Sequence, residues 1–290
     1  MSPPELVPIE IAQAHYSADS PLRSPRRFLR EWCEDVGLSW TLGWQLLRRE
    51  VTAQHRQSVL GYAWGLVPPL ATTLVWTFLQ RHALVGIATH DVPYPAFLLT
   101  GTTLWGTFVD ALRAPLKAVG NAGSMITKVR FPREALLVAG VGEVLFNAAV
   151  RSVLLLFVLL AYRVSLTWTV LAVPLGMLAL VGLGTGLGLL VAPVGLLYHD
   201  VGRAVTVLSQ IWLYLTPVVY PAPTQWPATL VVSLNPVSPL LVTTRDWLLV
   251  GSASDAHGFL AMVLLTAMLL VVGLTLYRVA LPVVIERLGS

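Results

Sequence analysis

Apolar runs near or above 18 residues recur along this 290-residue chain, and that recurrence limits its fold more than any motif does. A helix needs about 20 mostly apolar residues to cross a hydrocarbon core. In lipid the backbone must satisfy its own hydrogen bonds, so such runs fold as helices. Charged residues make up 12% of the chain, against roughly 25% in a soluble domain. The chain therefore reads as an all-α integral membrane protein.

Six crossings are expected, at about 60–79, 94–112, 135–162, 166–197, 204–219 and 259–277. Pro68 and Pro69 are expected to bend the first. The fourth is longer than one crossing requires, so tilt, a kink or an interfacial end must absorb the excess. Between Tyr220 and His257, prolines separate short apolar pieces, which suggests two half-helices dipping into the outer leaflet as re-entrant gate helices. Residues 1–36 are polar and proline-rich, read as a mobile cytoplasmic tail with no signal peptide. Arg23, Arg26, Arg27 and Arg30 place a basic cluster near its end. Over 37–58 an amphipathic helix is expected: Trp40, Trp44, Leu47 and Val51 recur at intervals of three and four, while Arg48, Arg49 and Glu50 fall on other faces. Residues 59–282 then form one membrane domain, and 283–290 a cytoplasmic end.

Orientation follows from the cations, because Lys and Arg near span ends mark the cytoplasmic side. Seven precede the first span, five lie from Arg113 to Arg133, one is Arg203 and two follow the last span. Arg81, Arg163 and Arg245 fall on the other side, and Arg151 inside a span. Both termini are thus expected to face the cytoplasm. The stretch Lys117–Glu134, KAVGNAGSMITKVRFPRE, becomes a basic cytoplasmic loop between spans two and three.

Chemistry is thinly represented. No G-x-x-x-x-G-K-[ST] loop is present to cradle a nucleotide phosphate. The run GLGTGLG at 182–188 has no strand before it; Gly182/Gly186 and Gly184/Gly188 read instead as small-xxx-small pairs that bring helices close. A single cysteine, Cys33, and the absence of paired helical histidines leave no metal site, and no catalytic residue or directly bound cofactor is expected. The net charge of +4 requires no nucleic-acid partner.

Glu143 and Arg151 stand within a span, where ionisable groups face protein or water. They lie two turns apart, so they either reach toward each other or need other partners. Asp110–Arg113 and Asp200–Arg203 read as i,i+3 ion pairs. Aromatic residues of the spans are mostly belt or packing residues. Those that are candidates to line a path for a sugar chain are Tyr62, Trp64, Trp105, Phe108, Trp212, Tyr214 and Tyr220, with Glu143 and Arg151 as polar path candidates.

Six segments, in order, carry a resemblance: Arg48–Leu70, Pro93–Trp105, Thr127–Leu136, Leu196–Arg203, Thr216–Pro221 (TPVVYP) and Leu234–Leu240 (LNPVSPL). Together they resemble the membrane subunit of type-2 ATP-binding-cassette exporters, specifically the permeases for lipid-linked polysaccharide such as O-antigen or teichoic acid. The resemblance implies a homodimer carrying two copies of a separate ATPase subunit, which binds the ATP and Mg. It implies that Trp40, Trp44, Arg48 and Arg49 belong to an interface helix. It also implies that Asn121, Lys128, Arg130, Phe131, Pro132, Arg133 and Glu134 couple to the ATPase, and that 220–250 forms the outer gate. Other readings are a same-fold exporter of a small lipid or drug, an intramembrane lipid-dependent transferase, and an ion-coupled carrier. A transferase requires a convergent acid or histidine, and a carrier requires inverted repeats; neither is evident.

Overall fold

The computed structural model describes residues 37, 39–52, 61–82, 92–126, 134–198, 200–223 and 225–289. The expected tail and most of the coupling stretch lie outside them. The described residues are helical and include no strand. The helices are α1 (residues 39–52), α2 (Val67–Arg81), α3 (Tyr94–Ile126), α4 (Glu134–Ala161), α5 (Val173–Leu197), α6 (Asp200–Leu215), α7 (Ala228–Leu234), α8 (Val237–Leu249) and α9 (Ala256–Gly289). Among the described residues, three segments are long and apolar enough to cross a membrane: Glu134–Ala161, Trp168–Leu197 and Ala256–Ala280.

Several boundaries differ from expectation. Pro68 and Pro69 do not bend a continuous span; they stand in the first turn of α2, after a 3-10 turn at Gly61–Gly65. Proline fits there because a first-turn N–H has no intrahelical partner to lose. Helix α3, which contains the expected second span, runs past Leu112 to Ile126, 33 residues in all. The first part of the expected basic loop is therefore helix. The long fourth segment divides into a 3-10 turn, Trp168–Ala172, and α5. Pro174 stands in the first turn of α5, so the division has the same origin as that at Pro68.

Helix α5 is the centre of the fold, packed between α3 and α9 and also against α8. Its glycines explain why. A Cβ on Gly184 would lie 2.8 Å from Ala111 Cβ and 3.0 Å from the Leu112 nitrogen, both on α3. On the adjoining face, Gly182 meets Thr266 and Gly186 meets Leu269, both on α9. The two glycine pairs thus serve two different neighbours at close approach, as small-xxx-small spacing requires. Around this axis Leu98, Leu99, Phe108, Leu180, Leu183, Leu240 and Leu241 form a buried core. The outer surface of α4 and α9 stays apolar, with Val153, Phe157, Leu264 and Met268 each at least 65% exposed. That inversion suits a lipid-facing surface.

Candidate functional site

Helices α3 and α4 run antiparallel on either side of residues 127–133, and a seam of charged residues joins them. On α3, Asp110, Arg113 and Lys117 follow at three- and four-residue steps and so share a face. On α4, Glu143, Asn147 and Arg151 do the same at four-residue steps. Lys117 Nζ donates to both carboxylate oxygens of Glu143, at 2.6 and 2.8 Å. Arg151 Nη2 lies 2.7 Å from Asp110 Oδ2, and its Nε donates to the Gly65 carbonyl at 3.4 Å. Glu143 is 8% exposed, so its charge is held by Lys117 rather than by water.

Two expected pairings give way to this seam. Glu143 and Arg151 do not reach toward each other; each finds a partner on α3. Nor does Asp110 pair with Arg113: the Asp110 carboxylate is taken by Arg151, and Arg113 Nη2 donates to the Ser209 hydroxyl of α6 at 3.2 Å. Cross-helix partners win because they satisfy both helices at once in a low-dielectric interior. The Asp200–Arg203 pair does form, at 3.3 Å, with both side chains largely exposed. Along the seam runs a cavity of about 420 Å³, lined by all six seam residues and flanked by Trp64 and Gly65.

At the base of the seam, α1 lies across α4. Ser39 and Gly43 are buried, and Leu47 meets Gly142. Trp40 and Trp44 point away, 65% and 61% exposed, and Arg48 and Arg49 are also exposed. The expected apolar face therefore splits: Leu47 packs against protein while the indoles face outward. A recess of about 90 Å³ between α1, α3 and α4 brings Arg49 and Glu50 to Lys117 and Glu143. Of the coupling residues, Glu134 opens α4 and lies 3.6 Å from Arg278 Nε of α9. Asn121 is within α3, while Lys128, Arg130, Phe131, Pro132 and Arg133 lie outside the described residues.

The aromatic path candidates separate into three groups. Trp105 and Phe108 are 5% and 0% exposed and pack with Trp212 at centroid distances of 5.3–6.2 Å. As ring contacts inside the chain they are core, a correction to their path assignment. Trp64 and Tyr214 are exposed, and Tyr220 is half-buried with its hydroxyl on the Tyr214 carbonyl at 2.9 Å. The Tyr62 side chain lies outside the described set.

Beyond α6 the TPVV turn, 216–219, is fixed from several directions. Tyr94 OH donates to the Val219 carbonyl at 3.0 Å, and Gly101 of α3 presses against Val218. Asn235 accepts from Trp212 Nε1 at 3.0 Å and donates to Thr216 Oγ1 at 2.7 Å. From α8, Arg245 Nη1 donates to the Pro217 carbonyl at 2.7 Å while its guanidinium covers the Phe97 ring at 4.0 Å. Arg245 is 3% exposed. Of the two short helices in this expected half-helix segment, α8 packs inward with Arg245, and α7 is the exposed piece, with Leu234 at 75%. Arg245→Leu is expected to lower unfolding stability by about 2–4 kcal/mol, since the Pro217 carbonyl loses its charged donor and Phe97 its cation. Thermal unfolding of the purified protein in detergent measures this, and Arg245→Lys should recover only part.

Sequence reasoning missed Asp110, Arg113, Lys117, Asn235 and Arg245 as site residues. A signal for the seam existed: Lys117/Glu143 and Asp110/Arg151 are placed symmetrically about residue 130, as an antiparallel hairpin requires. Nothing comparable pointed to Arg245, whose partners come from distant segments.

Comparison with known proteins gives this arrangement its context. The chain is 27% identical over 248 residues to the O-antigen export system permease protein RfbA of Myxococcus xanthus, covering 84% of this chain and 92% of that protein. An RfbA of Klebsiella pneumoniae is 22% identical over 242 residues, covering 80% and 89%. The polysialic acid transport protein KpsM of Escherichia coli is 23% identical over 250 residues, covering 80% and 91%. The family described as ABC-2 type transporter matches residues 41–248, which contain the seam, the glycine-lined axis of α5 and the TPVV turn. The chain belongs to the ABC-2 type transporter family, as a membrane permease.

Proposed function

We propose that this chain is the membrane subunit of an ATP-driven exporter that carries lipid-linked polysaccharide from the cytoplasmic side across the bacterial plasma membrane. The observation that carries the reading is the match, over at least 80% of this chain, to relatives named for O-antigen export and polysialic acid transport. In this reading α2, α3, α4, α5, α6 and α9 make six crossings and both termini are cytoplasmic. Helix α1 lies at the inner interface with Trp40 and Trp44 at headgroup level, and the α7–α8 segment is the re-entrant outer gate. Two copies of the chain enclose the path, and two separate ATPase subunits bind beneath it.

In this reading the power stroke travels through the α3–α4 hairpin. Residues 121–134 receive the push, and the α3–α4 seam makes the two flanking helices move together, since two ion pairs oppose sliding. Arg278 on Glu134 extends the lever to α9. Polymer moves outward without chemical change in this subunit.

The test is affinity purification of the chain from its host, followed by ATPase assay of the complex. Arg130→Ala and Phe131→Ala are expected to weaken ATPase association about tenfold each, the scale of losing one central interface side chain. A chain that purifies without an ATPase yet transports or modifies a lipid-linked sugar returns the question to the carrier or transferase class.

A further inference from the structure

The seam holds three cations but two carboxylates, and the cavity runs beside the one left over. Lys117 is matched by Glu143 and Arg151 by Asp110. Arg113, between them, donates to the neutral Ser209 hydroxyl, and its Nε is buried without an acceptor. Nη1 of Arg151 is also buried without an acceptor. Buried donors with no acceptor are rare, and Arg113 is half-buried with no anion of its own. Antiparallel register sets the Asn147 amide level with Arg113 on the opposite wall of the cavity. The adjoining recess adds Arg49 and Glu50, which leaves the excess of one positive charge unchanged.

Depth narrows the ligand. Glu143 stands 18 residues from Ala161 at the other end of α4, about 27 Å at 1.5 Å per residue. Against a hydrocarbon core of about 30 Å, the Lys117–Glu143 pair then sits at the inner boundary and Arg113 one turn deeper. An anion reaching that level arrives attached to a lipid.

We propose that the cavity between α3 and α4 binds the phosphate group of an inner-leaflet lipid, with Arg113 as its principal ligand and Asn147 and Nη1 of Arg151 completing the set. A guanidinium fork matches the oxygens of a phosphate and supplies the charge that the seam carries in excess. The recess beside Arg49 and Lys117 opens an approach to the cavity from headgroup level. The proposal rests on the membrane orientation given above.

Two lipids share this chemistry: the carrier of the exported glycan and a resident anionic phospholipid. The full-length protein, with whatever ATPase co-purifies, is incubated with polyprenyl phosphate, polyprenol, phosphatidylglycerol or diacylglycerol, and retained lipid is read by native mass spectrometry. At least one phosphate lipid is expected to be retained about tenfold or more over its phosphate-free counterpart. Arg113→Gln should abolish that preference, Arg113→Lys should weaken it, and Arg203→Gln, on an exposed ion pair, should leave it intact. Preference for polyprenyl phosphate assigns the site to cargo; preference for phosphatidylglycerol assigns it to a resident lipid. Equal retention of phosphate and phosphate-free forms, an unchanged preference in Arg113→Gln, or binding of inorganic phosphate with no lipid overturns the proposal. If Arg113→Gln does not fold, the wild-type contrast and Arg113→Lys decide. Lipid retention is read independently of ATPase association, so this site and the exporter reading can fail separately.

Discussion

Gly188→Leu is expected to remove the folded protein from the membrane fraction. A Cβ at this position already meets the Leu112 carbonyl oxygen and lies 3.0 Å from Pro115 Cδ. Neither obstacle can rotate away: one is backbone in the middle of a helix, and the other is a ring inside the same helix. Relief therefore requires α3 and α5 to separate, at the contact that holds the centre of the fold. Overpacking a core costs typically about 1–3 kcal/mol per site when side chains can yield. Displacement of two backbones exceeds that range and is comparable with the whole stability margin of about 5–15 kcal/mol. Gly188→Ala should be milder, and Gly184→Ala similar to it, because Gly184 faces the Phe108 carbonyl at 2.5 Å. Gly65 has open space around the same position, so Gly65→Ala is the control and should express normally. Detergent-soluble monodisperse yield and thermal unfolding rank the four variants.

Arg151→Ala is the second large effect. It leaves Asp110 without its cation, frees the Gly65 carbonyl and opens the seam at its deepest pair. Removing one partner of a buried ion pair costs about 3–5 kcal/mol. The lower end applies here, since the Asp110 side chain is 30% exposed and water screens part of the loss. Lys117→Ala should cost at least as much, because the Glu143 side chain it leaves unpaired is only 11% exposed. The decisive variant is the exchange Asp110→Arg with Arg151→Asp. Recovery of at least half the lost thermal stability identifies the pair itself as the source, whereas an exchange no better than either single variant assigns the loss to shape and not charge. If the seam acts as a lever, Arg151→Ala should also lower transport more than it lowers ATPase turnover.

The glycine run shows how far local spacing can be read. The four-residue intervals within Gly182/Gly186 and Gly184/Gly188 announce close helix packing, and the structure supplies α9 and α3 as the neighbours. The identity of those neighbours is not local information. Glu143 and Arg151 carry the same lesson with a different outcome: one sequence step flagged both as needing partners, yet their partners sit on another helix. Trp105, Phe108 and Trp212 were candidates for a path because aromatic content alone does not tell a lining ring from a core ring; their mutual contacts decide it.

Helical class, membrane character and the absence of a nucleotide loop follow from the sequence alone, because apolar run length, charge density and a contiguous motif are one-dimensional quantities. Helix starts at Pro68 and Pro174 were decided by backbone geometry at single residues. The seam, the clamped TPVV turn and the burial of Arg245 were decided by tertiary packing. Each depends on which distant segments share a low-dielectric interior, where an unpaired charge or carbonyl must find a partner across space rather than along the chain.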